Sequence, residues 1–421
     1  MGRRLVEIFK DLLIAALVLA ILVLGILCLP EKTVTSTPWL AALLKPFAPI
    51  LGLSEASLSH TAVQTEPTVV SAAKPVCISL RNLAGRQSFL YNDATLDSQY
   101  EALGSILGQA LDSASDERVV SRDEVYRALS SPGIAFCYPA QLPATLIASW
   151  LNVSAPDASA LWFVLSAGDS SVSLYLCGSS DLAYSTEVSS EALMTLLAPA
   201  IPDSSFFAFE GGSRFARADG LSLLPASAPS LPAAVSTNPC EVRFQTAIAT
   251  ALGFNPYGDS VYTDSDGQIS YSEPSRTLSI SAQGQVTLHI ASSDPRFRAS
   301  GSGLDAKVEA ARNLLSQIAA GSAGDARLYL TGCETSGEIT VCRFGYFLHG
   351  VPILTGGDAA VVRLNGTDVA EASILLRTYA LQETQSVLLP PAQAAAILPA
   401  GQPLRLVYAD NHGETAANWK T

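Results

Sequence analysis

The sequence is poor in the residues on which most enzyme chemistry depends. It has four histidines: His60 in a linker, His289 inside an alternating strand, His349 at the start of a turn and His412 in a polar loop. None reads as a base beside a nucleophile. The G-x-S-x-G elbow of a serine hydrolase occurs nowhere, and neither does a phosphate-cradling glycine loop or an H-E-x-x-H helix. The seven cysteines contain no C-x-x-C, so the common zinc and redox motifs are missing. Charged residues make up only 15% of the chain, and the net charge of -13 comes without a basic cluster in the outer part. Such a field repels phosphate backbones and argues against a nucleic-acid partner. Missing motifs do not exclude an enzyme. They do favour a chain that is not one and that carries no cofactor or metal.

What the sequence has in quantity is apolar residues, 48% of the total. Leu12 to Leu29 form an uncharged run of eighteen residues, close to the ~20 that cross a ~30 Å hydrocarbon core. Arg3, Arg4 and Lys10 precede it and only Glu31 and Lys32 follow at once. This bias keeps the N-terminus in the cytoplasm and places the bulk of the chain outside. A cleaved signal peptide fits less well, because the run is long and no A-x-A-like site closes it. Cys28 follows Leu27, where a lipid-attachment signal needs a small residue. Residues 1–33 are therefore read as a cytoplasmic tip and a single-pass anchor in the cell membrane. Residues 34–75 are read as a juxtamembrane segment and linker. In it the apolar stretch from Trp39 to Leu51 is interrupted by Pro46 and Pro49. This stretch either lies at the membrane interface or packs on the first domain.

Periodicity predicts an N-terminal extracytoplasmic α+β domain over 76–220. Its strands are Val76–Leu80, Leu161–Leu165, Val172–Leu176 and Leu182–Thr186, and its helices Ser98–Leu111, Arg122–Leu129 and Glu191–Leu197. The proline-rich, uncharged stretch 221–239 reads as an extended linker. A C-terminal α+β domain over 240–421 opens with a helix, Glu241–Leu252, stopped at Gly253. Strands follow around Val261, at Thr277–Ser281 and at Val286–Ile290. An amphipathic helix, Leu304–Ile318, comes next, then strands Arg327–Leu330, Ile339–Leu348, Ala359–Leu364 and Ala372–Tyr379. A short helix, Pro391–Leu398, and a last strand, Leu404–Tyr408, finish the chain. The fold class is α+β, a transmembrane helix followed by antiparallel sheets packed with helices. The second domain reads as two helix-plus-sheet halves.

Three features invite a chemical reading. The segment from Tyr262 to Glu273 places Asp264, Asp266, Gly267 and Glu273 at calcium-loop spacing, but Tyr262 fills the first ligand position. A β-turn at Asp266-Gly267 explains it better. Ser71 and Lys74 form an S-x-x-K in a linker, without the helix that would aim both side chains. Cys333 and Cys342 flank the turn ETSGE, so a cross-strand disulfide is conceivable beside the simpler reading of buried thiols. Tyr271, Phe344 and Tyr346 are aromatic candidates for a ligand surface, weighed against plain core packing. In the anchor, Ala16 and Ala20 form a small-xxx-small pair suited to a partner helix, weighed against a lipid-facing role.

The segment LGFNPYGDSVYTDSDGQISYSEPSRTLSISAQGQV, the later GYFLHGVPIL, the R-x-Y at Arg377–Tyr379 and the closing LRLVYADNHGETAANWK occur in an order that resembles YycH/YycI-type regulators. These are two-component system regulatory proteins of low-GC Gram-positive bacteria. The resemblance covers residues 240–421, whereas the first domain matches only in layout. It implies a membrane-anchored extracytoplasmic regulator of a sensor histidine kinase in cell-wall signalling, acting by protein contact. Its partners would be the kinase transmembrane helices and a companion regulator, and no active site is required. The alternative from a different class is an extracytoplasmic ligand-binding or envelope-assembly module that takes a cell-wall fragment; an envelope hydrolase ranks below both.

Overall fold

Short apolar runs, nearly uninterrupted because both faces are covered, build the central strands of the first sheet. In the computed structural model, which describes residues 74–320, 322–410 and 413–420, its strands are β1 (Cys77–Arg81), β2 (Arg86–Phe89), β3 (Ser115–Val119), β4 (Gly133–Pro143), β5 (Ser159–Ala167), β6 (Ser171–Cys177) and β7 (Asp181–Ser189). They pair antiparallel in the order β2-β1-β4-β5-β6-β7-β3. Ile78, Phe136, Phe163 and Leu174 point to one face. That face is covered by α1 (Asp93–Asp112), α3 (Ala144–Leu151) and α4 (Ser190–Leu197). Ala135, Trp162, Val164 and Tyr175 point to the other, under α2 (Arg122–Ser130) and the chain from 206 to 224.

Three helices, α1, α2 and α4, start where a side chain satisfies their free N–H groups. Asn92 Oδ1 accepts from Thr95 N at 3.0 Å, so α1 begins at Asp93, ahead of the predicted Ser98. Ser121 Oγ likewise accepts from Glu124 N at 3.3 Å and opens α2. Sequence periodicity does not reveal β4, since Pro139 and Pro143 argue against a strand. The pairing of β4 with β5 shifts register between Cys137 and Leu142, and the irregularity accommodates Pro139.

The stretch 221–239 is not an extended tether. Leu223–Leu224 form β9, paired with β8 (Phe206–Phe207), and Pro232–Thr237 form β10. Leu221, Leu224, Leu231 and Ala234 are buried. Their burial is what the proline count obscured: Pro225 and Pro229 stand between strands, and Pro232 takes the first position of one.

β10 belongs to a second sheet of thirteen strands. Its remaining members are β11 (Val261–Thr263), β12 (Ile269–Glu273), β13 (Arg276–Ile280), β14 (Gln285–Ile290), β15 (Arg327–Ser336), β16 (Ile339–Leu348), β17 (Val351–Leu354), β18 (Ala360–Asn365), β19 (Asp368–Leu375), β20 (Thr378–Gln385), β21 (Arg405–Asp410) and β22 (Glu414–Lys420). The order is β11-β12-β13-β14-β19-β18-β16-β17-β21-β22-β10-β20, with β15 on the other side of β16. Three helices accompany it, α5 (Val242–Ala251), α6 (Leu304–Ile318) and α7 (Pro391–Ile397). The α6 stripe of Val308, Ala311, Leu314, Leu315 and Ile318 is buried as its spacing predicts.

Two strand predictions need correction. Ala372–Tyr379 is not one strand, because the chain turns a corner at Leu376–Arg377, where Arg377 Nη1 donates to the carbonyls of Gln283 and Leu376 at 2.8 Å. Nor does the chain end at β21. β22 adds a strand whose inward residues are Thr415, Ala417 and Trp419, too weak an apolar alternation to read from sequence.

The architecture is thus mixed α+β with largely antiparallel sheets. Among the described residues no helix is long and apolar enough to cross a membrane. The predicted anchor Leu12–Leu29, with Ala16 and Ala20, lies outside the described residues.

Candidate binding cleft and its surroundings

Where the α2-side face of the first sheet meets β17 and β21 of the second, a cleft of about 250 Å³ opens. Its lining includes Cys77, Cys137 and Trp162 from the sheet, Leu223 from the chain after α4, and Phe347 and Leu406 from the second sheet. Asp219 and Arg405 supply its charged groups. Such a surface suits an apolar group with a polar end better than a sugar.

The strand register explains why two cysteines sit together there. Cys77 opposes Cys137, Cys137 opposes Trp162, and Trp162 opposes Cys177, which makes one row across β1, β4, β5 and β6. All three thiols are free. Burial pushes the Cys77 and Cys177 thiols up. They are therefore poor nucleophiles at neutral pH. Only the pairing register brings the row together, so the sequence spacing gave no sign of it.

A second constellation lies at the junction of the two sheets. His349 and Gly350 both have positive φ, 52° and 77°, and form the tight turn between β16 and β17. The turn brings His349 Nδ1 to 3.7 Å from Asp93 Oδ2 at the start of α1. Beside it, Asp97 pairs with Lys74 at 3.1 Å and with Arg327 at 2.9 Å. Burial raises the Asp93 carboxyl, against the opposing charges of Arg327 and His349. Neither Asp93 nor His349 lines the cleft. Trp150 Nε1 donates to Glu309 Oε1 at 2.7 Å, a further tie between α3 and α6.

The aromatic residues predicted as a ligand surface are not at a surface. Tyr271 is 4% exposed, Phe344 and Tyr346 0%. The Tyr346 hydroxyl donates to Leu375 O at 3.1 Å, and its ring packs edge-on against Tyr379. All three sit on inward faces of the second sheet, and the cleft takes its aromatic lining from Tyr91, Trp162 and Phe347 instead. The calcium-like segment forms the hairpin β11–β12, with Val261 opposite Tyr271 and Gly267 at φ 77°. Asp264 Oδ1 accepts from the backbone N–H groups of Asp266 and Gln268 at 3.0 and 2.9 Å. Among the described residues no group of acidic, His or Cys side chains is arranged to hold a metal. Ser71 lies outside the described residues.

β11 is one end strand of its sheet, and among the described residues no strand pairs with its outer edge. It displays Tyr262, 59% exposed, just after Tyr257 at 87%. One end strand of the first sheet, β3, is exposed throughout but carries Asp116, Glu117 and Arg118, a composition that discourages edge pairing. Compared with known proteins, the chain matches no family model, no curated protein and no solved structure.

Proposed function

We propose that this chain is a membrane-anchored extracytoplasmic regulator of a two-component sensor kinase, acting by protein contact rather than catalysis. The finer architecture proposed with it is a transmembrane helix over Leu12–Leu29 and a 240–421 part built from two helix-plus-sheet halves, α5 with β11–β14 and α6 with the later strands. The kinase assignment rests on the ordered motifs of that part. The protein-contact reading is carried by the free edge of β11, where exposed Tyr257 and Tyr262 adjoin unpaired backbone. Such an edge accepts a strand from another protein, and aromatic side chains favour interfaces. A companion regulator would dock there, while Ala16 and Ala20 would meet a kinase transmembrane helix. Photo-crosslinkers at Ala16 and Tyr262 in native membranes test this. The expected products are a kinase adduct from the first and a companion-protein adduct from the second. Recovery of neither, with the chain intact in the membrane, refutes the proposal.

The apolar cleft favours one other reading, a ligand-binding module that takes an acyl or aromatic group. Binding of an acylated envelope fragment that is lost in Trp162→Ala, with no protein adduct, would select it.

A further inference from the structure

The hairpin β15–β16 places a second pair of thiols face to face. Cys333 opposes Cys342 across the strands, and their sulfurs are 3.3 Å apart. Two residues nearer the turn and on the same face, Thr335 opposes Thr340, with hydroxyl oxygens 3.2 Å apart. Beneath the four runs α6, whose Lys307 is 8% exposed and donates from Nζ to Thr340 Oγ1 at 3.1 Å. Among the described residues this ammonium has no carboxylate in ion-pair range. A buried cation is costly without an anion beside it, and its charge acts on both sulfurs of the pair. The pair is also asymmetric: Cys342 is 0% exposed, while Cys333 is only partly buried, toward the exposed tip of the hairpin.

We propose that Cys333 and Cys342 are a reactive dithiol, with Cys333 the attacking thiol, Cys342 the resolving thiol, and Lys307 the residue that holds the Cys333 thiolate. The co-reactant is an external disulfide, either a low-molecular-weight one or that of a thiol oxidoreductase. The Cys333 thiolate attacks one sulfur of the external disulfide and expels the other as a thiolate, which leaves a mixed disulfide on Cys333. Cys342 then gives up its proton, attacks Cys333 Sγ and expels the second external thiolate. Two electrons pass to the external disulfide, the two protein thiol protons end on its two thiols, and an intramolecular disulfide remains. The chemistry of the surroundings agrees with this order. The hydrogen bond from Cys342 and then the Lys307 charge lower the Cys333 thiol, against burial and Glu334. Donating that bond, and burial, raise Cys342. The order of attack follows from exposure as well, since only Cys333 is open to an incoming disulfide. This site is independent of the kinase reading and stands or falls separately.

Equilibration of the full chain with a glutathione redox buffer, followed by non-reducing Glu-C digestion, tests the proposal. Cleavage after Glu334 and Glu338 separates the two cysteines, so a linked peptide identifies the bond. The expected result is a Cys333–Cys342 link in the wild type and a stable glutathione adduct on Cys333 in Cys342→Ser. Cys333 should alkylate several-fold faster at neutral pH than Cys77 or Cys177. Lys307→Met should move the pH midpoint of Cys333 alkylation upward while leaving those two unchanged. Absence of the linked peptide in the wild type overturns the dithiol, whatever the variants do. An adduct on Cys342 instead of Cys333, or a midpoint unmoved in Lys307→Met, overturns the assigned roles.

Discussion

The wall of the cleft formed by residues 206–224 is held by one buried cation, and its removal has a calculable effect. The Arg86 side chain is 3% exposed. It donates to Ser79 Oγ at 3.0 Å, to Leu129 O near the C-terminal end of α2 at 2.8 Å and to Glu210 Oε1 at 3.0 Å. Its guanidinium lies 4.5 Å from the centre of the Phe207 ring. Glu210 in turn accepts from Arg81 at 3.1 Å and, through Oε2, from Phe207 N at 2.8 Å. Arg86→Met keeps much of the stem but removes the charge and strips three acceptors. Breaking a buried pair costs about 3–5 kcal/mol. Here Arg81 still neutralises Glu210, and burial already lowers the Arg86 pKa, so part of a desolvation cost is recovered. The expected loss is about 3 kcal/mol, at the low end of that range. Glu210→Gln should cost about 1–2 kcal/mol, and the double variant should reveal a coupling of about 1–2 kcal/mol. Urea unfolding at unchanged slope reads these losses. Because the cation is buried, salt should scarcely alter them. Native-state hydrogen exchange of Arg86→Met should quicken over 206–224, and alkylation of Cys77 should quicken with it. A loss under about 1 kcal/mol, as for a surface pair, with exchange over 206–224 unchanged, would refute the assignment of Arg86 as the clamp.

Tyr346→Phe should lower stability by about 1 kcal/mol through the unpaired Leu375 carbonyl, and Tyr346→Ala by about 3–5 kcal/mol; equal thermal stability of Tyr346→Ala and the wild type would contradict its place in the core. Asp93 titrates above its unfolded value, so the folded state binds the proton more tightly and loses stability as pH rises through the folded pKa. Asp93→Asn should therefore be the more stable protein at neutral pH, with the advantage vanishing in acid; a melting-temperature difference that does not vary with pH would count against this. In Gly133→Ala the new methyl would lie 2.2 Å from Leu165 O, and the backbone shift it forces should cost about 1–3 kcal/mol, read by urea unfolding against wild type.

Where one segment holds one kind of signal, the sequence was legible. The helix Leu304–Ile318 was predicted to the residue because its stripe needs no information from elsewhere. The hairpin β13–β14 was readable from alternation around Gly284 for the same reason. What stayed hidden depends on the partner strand. Pro139 is compatible with β4 only because β5 shifts register opposite it, and Pro232 with β10 only because it takes the first position of a strand lying between β20 and β22. The cleft was invisible for a stronger reason, since Cys77, Cys137, Trp162, Leu223, Phe347 and Leu406 are brought together from six separate stretches of the chain. Tyr271, Phe344 and Tyr346 stand out in the sequence by their aromatic character, which says nothing of the side they face. Burial on the inward face decided that.

The cysteines show how far residue identity underdetermines chemistry. Cys77–Cys137 and Cys333–Cys342 are both opposed across neighbouring antiparallel strands, and all four thiols are free. The first pair borders an apolar cleft, where burial raises Cys77. The second lies over Lys307, and there the hydrogen bond from Cys342 and then the Lys307 charge lower Cys333 against burial, while Cys342 stays raised. A thiolate is the reacting species in exchange, so a neighbouring cation separates a reactive pair from an inert one. Exposure does not separate the pairs, since each has one buried thiol and one partly buried thiol, Cys77 with Cys137 and Cys342 with Cys333. What α6, a helix that contains no cysteine, adds to the second pair is one lysine turned into the core, a charge that acts with the hydrogen bond from Cys342 to lower Cys333.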